Sequence, residues 1–320
     1  MKKILFYSLV GIFLLINVGG ALAAYPTRSV SLICPWSAGG GTDRMARFLA
    51  DQLEKEFGKP FVVVNKTGGG GAVGHGAGVY AKPDGYTITL ATLEIATMHW
   101  MGLTPITFED FDYVVKLNQD PSALIVRSDA PWNSATELLV DIAMHPGKYK
   151  FSGASAGTNR DLARIGMLDC VGIPADYVIW VPTKGAAPAI VELLGKHVDV
   201  IISSFPEAVS QLEAKQFKAL AILADKRDPK FPDVSTLKEM GINWSSGTWR
   251  GIVVPKGTPE EIINILYEKF LKIANSEEFK EFMDKNGFGI DIKGPEEFYN
   301  FVKEQDQTWK KVMELGGYLK

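Results

Sequence analysis

The stretch SVSLICPWSAGGGTDRMARFLADQLEKEF, residues 29–57, decides the fold class. A short β-rich run, 29–34, leads into a loop of small residues, 35–41, and then into a helical pattern that Thr42 or Asp43 is placed to cap. The predicted helix carries apolar residues spaced four apart on one face: Met45, Leu49, Leu53 and Phe57. A strand, a glycine-rich turn and a helix in this order are typical of an α/β protein.

The same alternation continues along the chain. We predict further strands, each bounded by turn residues, at 61–64, 86–90, 123–126, 150–152, 178–181, 198–202, 219–223 and 251–254. The tail 259–320 is predicted to be helical, with interruptions at Ser276 and at 287–295. Thr258 is expected to cap the first tail helix, with Pro259 at its first position and Glu261 completing a capping box.

Two apolar strands flanked by polar turns, 123–129 and 249–256, are where we expect the chain to cross between two lobes. The chain between them contains enough strands and helices to form one lobe, and the rest forms the other. The predicted organisation is therefore a signal peptide over 1–23, a discontinuous first lobe of 24–123 plus 249–320, and a second lobe of 124–248. A cleft is expected at the crossing.

The N-terminus has the composition of a secretory signal peptide. Lys2 and Lys3 precede an apolar stretch, 4–18, which is followed by Ala21-Leu22-Ala23. The apolar stretch is shorter than the roughly 20 residues that a membrane span needs. We therefore predict cleavage after Ala23 and export to the periplasm.

Composition excludes several classes of protein. The 320 residues include 46% hydrophobic residues, and 34 Lys+Arg against 37 Asp+Glu give a net charge of −3, which excludes a strongly basic nucleic-acid-binding protein.

The two cysteines, Cys34 and Cys170, lie in apolar surroundings and are predicted to be free buried thiols. No metal-ligand spacing is present among the four histidines, His75, His99, His145 and His197, so we expect neither a metal nor a cofactor.

Two short motifs suggest other functions, and both lack supporting residues. Residues 69–74 match the dinucleotide pattern G-x-G-x-x-G, with Glu94 at the distance of a ribose-binding acid, but the loop follows the second strand of its lobe. Residues 153–157 match the nucleophile motif G-x-S-x-G around Ser155, but His197 is the one histidine that follows it. The alternative function is an exported serine esterase that uses Ser155 as its nucleophile.

Several predicted strands run into turns of Gly, Ser, Thr and Ala and then into a helix. These turns are 37–42, 67–74, 152–159 and 183–187. Each helix start has unpaired N–H groups and a partial positive charge, and small side chains let a ligand oxygen approach. The pattern therefore favours an anion-binding site, for example for a carboxylate, that needs no lysine side chain.

These segments, taken in order, resemble a known family. PWSAGGGTD (35–43), NKTGGGGAVG (65–74), PDGYT (83–87), VPTKGAAPA (181–189) and the return crossing from Trp249 are similar to motifs of the Bug-type, or tripartite tricarboxylate transporter, extracytoplasmic substrate-binding proteins. The resemblance implies a two-lobe α/β periplasmic-binding-protein (Venus flytrap) fold, type II-like, and no enzymatic activity. It implies a monomer that binds an organic carboxylate and delivers it to a two-component integral membrane permease.

The resemblance also implies a set of ligand-binding residues. Those of the first lobe are Trp36, Ser37, Ala38, Gly39, Gly40, Gly71 and Ala72, and those of the second are Ser155, Thr158, Thr183 and Ser203. Arg250 replaces an aromatic residue of the family, and we expect it to bind a second carboxylate of a di- or tricarboxylate ligand. The alternative is a hinge salt bridge. Ser203 stands where an acid often sits, which leaves Glu94 as the acid that could bind an amino group.

Overall fold

The computed structural model describes residues 25–229 and 231–319. The predicted signal peptide, 1–23, lies outside the described residues. Within them, no helix is both long and apolar enough to cross a membrane.

Strands and helices alternate along most of the chain, as the sequence predicts. The described strands are β1 Val30–Cys34, β2 Phe61–Asn65, β3 Thr87–Ala91, β4 Phe111–Arg127, β5 Tyr149–Ser152, β6 Val178–Trp180, β7 Val200–Ser204, β8 Phe217–Leu223, β9 Gly247–Pro255 and β10 Ile290–Lys293. The described helices are α1 Gly41–Phe57, α2 Ala72–Val79, α3 Ala135–Met144, α4 Asn159–Asp169, α5 Ala186–Leu194, α6 Phe205–Glu213, α7 Glu260–Ala274, α8 Glu277–Asn286 and α9 Pro295–Leu315. Short 3₁₀ turns connect several of them.

The strands form two groups that share β4. The first group runs β2-β1-β3-β9-β4, with β10 also on β4, and β1 pairs in parallel with both β2 and β3. The second group contains the end of β4 with β7, β5 and β6, and β8 also pairs with β4. Parallel strands joined by helices bring the loops after β1 and β3, and those after β5, β6 and β7, to the region between the two groups.

The long strand β4 connects the two groups. Its first part, from Phe111 to Pro121, pairs antiparallel with β9, and its last part, from Ser122 to Arg127, pairs with β8. The pairing partner therefore changes between Pro121 and Ser122, next to the predicted crossing at 123. The lobe boundaries themselves remain a prediction.

Each group of strands has its own buried apolar clusters. Leu32 and Val253 belong to the two clusters on the first group, and Phe151 and Ile201 to the two on the second. Leu162 of α4, which follows β5, packs in a cluster with first-group residues. Helix α4 therefore follows a strand of the second group but also packs against the first group.

Two capping predictions are wrong in detail. The cap of α1 is Gly40, and the Asp43 side chain instead accepts a hydrogen bond from the Gly39 N–H at 2.9 Å. Thr258 does not cap α7, because its hydroxyl donates to the Pro255 carbonyl at 2.7 Å and the helix begins after Pro259. In both places the side chain of Asp43 or Thr258 hydrogen-bonds to the backbone of its own turn instead of to the N–H groups of the helix.

The two cysteines are both free thiols, but their environments differ. Cys34 is buried at the end of β1, whereas Cys170 is exposed where α4 ends. The prediction that both thiols are buried is therefore wrong for Cys170, because the chain leaves the core at the end of its helix.

Candidate functional site: a polar cavity between the two groups of strands

A cavity of about 20 Å³ lies between the two groups of strands. This volume holds about one water molecule. Its lining comes from both halves of the molecule: Trp36, Ser37, Gly40, Gly41, Thr42, Glu94, Asn159, Arg160, Lys184, Gly185, Ala186, Ala187, Glu207 and Thr248. The Ser37 hydroxyl donates to the Lys184 carbonyl at 3.1 Å, so the two sides touch at this point.

Three helices begin at the cavity. They are α1 at Gly41, α4 at Asn159 and α5 at Ala186, each after a strand and a turn of small residues. The first-turn N–H groups have no acceptor inside their helix, and each helix N-terminus carries roughly half a positive charge. Three such termini in one place favour an anion.

A fourth helix start, that of α6, is occupied by a carboxylate of the chain itself. Glu207 accepts hydrogen bonds from the hydroxyls of Ser203 and Ser204, each at 3.0 Å, and forms an ion pair with Arg160. Burial alone would raise the pKa of Glu207, but Arg160, Arg250 and these hydrogen bonds hold it at about 2. Glu207 is therefore a permanent anion near neutral pH.

Arg250 lies directly beside this group and is fully buried. Its Nη1 donates to Asp120 and to Asn118, each at 2.6 Å, and its Nε donates to Thr42 at 3.1 Å. Its Nη2 lies 3.8 Å from Glu207. Asp120 and Arg250 lie on β4 and β9, the two strands that pair near the crossing, so this ion pair holds them together.

Gly41, the first residue of α1, lies very close to this ion pair. A Cβ at this position would lie 2.8 Å from Nη2 of Arg250 and 3.1 Å from Cγ of Glu207. A side chain on the first residue of the helix would therefore displace either the Arg250 and Glu207 side chains or the start of α1.

Glu94 follows β3 and lines the other side of the cavity. It is 3% exposed, and its Oε2 accepts a hydrogen bond from the Thr92 hydroxyl at 2.5 Å, which in turn accepts one from the Trp36 indole. Its Oε1 lies 3.5 Å from the Asn159 N–H at the start of α4. Burial raises the pKa of the Glu94 carboxyl, and the Thr92 hydrogen bond opposes that shift.

Comparison with known proteins gives the family. A model described as tripartite tricarboxylate transporter family receptor matches residues 45–317. The chain belongs to this receptor family. The protein BugT of Bordetella pertussis (strain Tohama I) is 30% identical over 303 residues, which cover 92% of each chain. The family is one of binding proteins and not of enzymes.

Solved structures show the same fold. The periplasmic binding protein BugD superposes with a TM-score of 0.82 at 29% identity, covering 92% of this chain and 100% of that one. Rpa4515 of R. palustris, solved with adipate, gives a TM-score of 0.85 at 27% identity, covering 92% and 98%. The predicted two-lobe periplasmic-binding-protein fold is confirmed.

Some of the predicted ligand-binding residues line the cavity, and others lie outside its lining. Trp36, Ser37 and Gly40 line it. Ala38 and Gly39 are exposed on the same loop. The others that lie outside the cavity lining are Gly71, Ala72, Ser155, Thr158, Thr183, Ser203 and Arg250.

Hydrogen bonds within the chain use most of the predicted polar side chains. Ser155 donates to the Thr183 carbonyl at 3.2 Å, Thr158 to the Ser155 carbonyl at 2.7 Å, and Thr183 to the Gly185 carbonyl at 3.1 Å. These bonds shape the turns before α4 and α5 and orient the helix starts. Gly71 has a φ of +98°, and a Cβ there would lie 3.2 Å from Nδ1 of His75 and 3.5 Å from Cβ of Glu94, so a side chain at this position would be strained and crowded.

The esterase alternative is wrong. The Ser155 hydroxyl faces a backbone carbonyl, and His197, the histidine that it would need, is exposed and pairs with Glu192 at 3.0 Å. The glycine-rich loop that matches the dinucleotide pattern forms a 3₁₀ turn before α2, and its expected acid, Glu94, is hydrogen-bonded to Thr92.

Sequence reasoning missed Arg160 and Glu207. It also took Ser203 to mean that no acid lies at the end of β7, whereas Glu207 follows one turn later and accepts the hydrogen bond of Ser203. The signal was present, since Ser204-Phe205-Pro206-Glu207 has the spacing of a capping box. Arg160 could not be paired with it from sequence, because 47 residues separate the two.

Proposed function

We propose that this receptor captures a small organic carboxylate in the periplasm and delivers it to the membrane components of a tripartite transporter. One observation carries the proposal: the starts of α1, α4 and α5 converge on one polar cavity. The family, and the adipate named for Rpa4515, support a carboxylate as the ligand.

The ligand carboxylate is expected between α1 and α5. Glu207 already occupies the start of α6, and Glu94 lies at the start of α4. The first-turn N–H groups of α1 and α5 therefore remain the natural donors. Hydrogen bonds to a charged partner are worth roughly 1.5–3 kcal/mol each.

Binding requires the cleft to open. The cavity of about 20 Å³ has room for about one water molecule, and the Ser37–Lys184 contact crosses it. Because β4 and β9 connect the two groups of strands, we expect the separation to occur about these strands, as in hinge-type closure.

A di- or tricarboxylate remains the first class to test. In the sequence, this expectation rested on Arg250, but Arg250 forms an ion pair with the Asp120 carboxylate at 2.6 Å. The expectation is therefore supported by the family and by the adipate named for the relative Rpa4515.

The test is thermal unfolding with a panel of mono-, di- and tricarboxylates, followed by calorimetric titration. A ligand at 100 times its Kd should raise the free energy of unfolding by about 2.7 kcal/mol. Gly40→Val should remove that stabilisation, while Ala143→Val on the exposed face of α3 serves as the matched control. If no carboxylate stabilises the wild-type protein, the proposal is wrong.

A further inference from the structure

Glu94 is a buried acid of the cavity that forms no ion pair with any described residue. No Lys, Arg or His nitrogen in the described parts of the chain lies within ion-pair distance of it. By contrast, the neighbouring acids are paired, Glu207 with Arg160 and Asp120 with Arg250. A buried carboxylate without a cation is costly unless it is protonated or a partner completes it.

The basic side chains around Glu94 do not form an ion pair with it. His75, packed beneath Gly71, has its pKa lowered by burial to about 4 and is neutral near pH 7. Its Nδ1 lies 3.0 Å from the Gly71 carbonyl, and its Nε2 accepts from the Thr92 N–H at 3.4 Å. The charge of Arg160 on α4 partly offsets the effect of burial on the pKa of Glu94, but its guanidinium is ion-paired with Glu207 and not with Glu94. Lys184 is exposed at the rim.

The Oε1 atom of Glu94 is the more weakly held of its two carboxylate oxygens. Oε2 is held by Thr92 at 2.5 Å, whereas the Asn159 N–H is 3.5 Å from Oε1, which is at the limit of a hydrogen bond. Glu94 and the starts of α1 and α5 line one small cavity. A single small molecule can therefore reach both.

We propose that Glu94 binds a protonated amino group of the ligand, so that the receptor prefers an amino-bearing carboxylate over the same carboxylate without the amine. The inference rests on the proposed function, since the ligand carboxylate lies at the starts of α1 and α5. In the complex, Glu94 gains a direct ion-pair partner, and the ligand nitrogen gains a charge-assisted hydrogen bond.

The test compares matched pairs of ligands by calorimetric titration near neutral pH. The probes are propionate against L-alanine, and succinate against L-aspartate, which differ within each pair only by the amino group. Wild-type protein is expected to bind the amino-bearing member of at least one pair more tightly by about tenfold. Tighter binding of the amine-free member in both pairs would overturn the inference without any variant.

Glu94→Gln keeps the shape of the side chain and the hydrogen bond with Thr92 but removes the charge. The preference for the amine should then disappear, with the urea midpoint no lower than in wild type. Glu192→Gln, the same change at a site outside the cavity lining, is the matched control and should keep the preference. A preference that survives in Glu94→Gln would overturn the inference.

The two proposals fail in different ways. If no carboxylate of either kind binds wild-type protein, the proposed function fails, and this inference with it. If carboxylates bind but an amino group brings no gain, the proposed function stands and the inference about Glu94 is wrong.

Discussion

Replacing Arg250 by methionine tests whether this arginine holds the crossing strands or contacts the ligand. Methionine keeps much of the side-chain volume but leaves Asp120, which is 1% exposed, without its cation. Loss of one partner of a buried ion pair costs about 3–5 kcal/mol.

The structure places the expected loss at the lower end of that range. Asp120 keeps two donors, the Asn118 side-chain amide and the Gly289 N–H, each at 2.8 Å. Glu207 keeps Arg160. We therefore expect Arg250→Met to lower the free energy of unfolding by about 3 kcal/mol, which moves the urea midpoint by roughly 1 M for an m-value near 3 kcal/mol/M.

The assay is urea unfolding without ligand, with Asp120→Asn and the double variant Arg250→Met/Asp120→Asn measured in parallel. The double variant should recover most of the loss, because a neutral pair leaves no uncompensated charge. In ligand titration, mono- and dicarboxylates should lose affinity equally. A wild-type urea midpoint in Arg250→Met, combined with an affinity loss confined to dicarboxylates, would refute the reasoning and make Arg250 a ligand-binding residue.

Three further predictions use single positions. Gly40→Val should lower carboxylate affinity by about tenfold or more at an unchanged urea midpoint, because φ is −75° and a Cβ would meet only the Ser37 carbonyl, at 3.4 Å. Glu94→Gln should stabilise the ligand-free protein more at pH 8 than at pH 4, as measured by thermal unfolding. Because the pKa of Glu94 is raised in the folded protein, the wild-type carboxyl favours folding at low pH, and that contribution is lost as the pH rises through the folded pKa. A thiol reagent should label Cys170 in the native protein and Cys34, whose pKa burial raises to about 11, only after unfolding; Cys170→Ser should abolish the native reaction.

The strands and helices near the cavity could be predicted because their signals are local. The run 29–34 followed by glycines and apolar residues four apart places β1 and α1 within a residue or two of their observed bounds. The helix starts at the cavity follow from the same pattern, which is why the sequence points to Trp36, Ser37 and Gly40 in the loop that lines the cavity.

The first part of β4 could not be predicted, because its pattern is misleading. Lys116, Asn118 and Asp120 stand at alternate positions, which predicts a strand face turned toward water, and Pro121 interrupts the run. All three polar side chains are nevertheless buried, Lys116 against Asp291 and the other two against Arg250. Their partners come from β9 and β10, more than a hundred residues away in sequence, so only the tertiary structure neutralises them.

The distribution of acids explains how a cleft with several helix starts can select one position for its ligand. Glu207 fills the start of α6, and Glu94 lies next to that of α4, so acids of the chain itself already stand at two of the four helix starts. The remaining two belong to opposite sides, since α1 follows β1 of the first group and α5 follows β6 of the second. A carboxylate bound to both sets of N–H groups bridges the cleft at the level where Ser37 meets Lys184. The anion would therefore stabilise the closed form more than the open one, and that difference is what couples binding to closure.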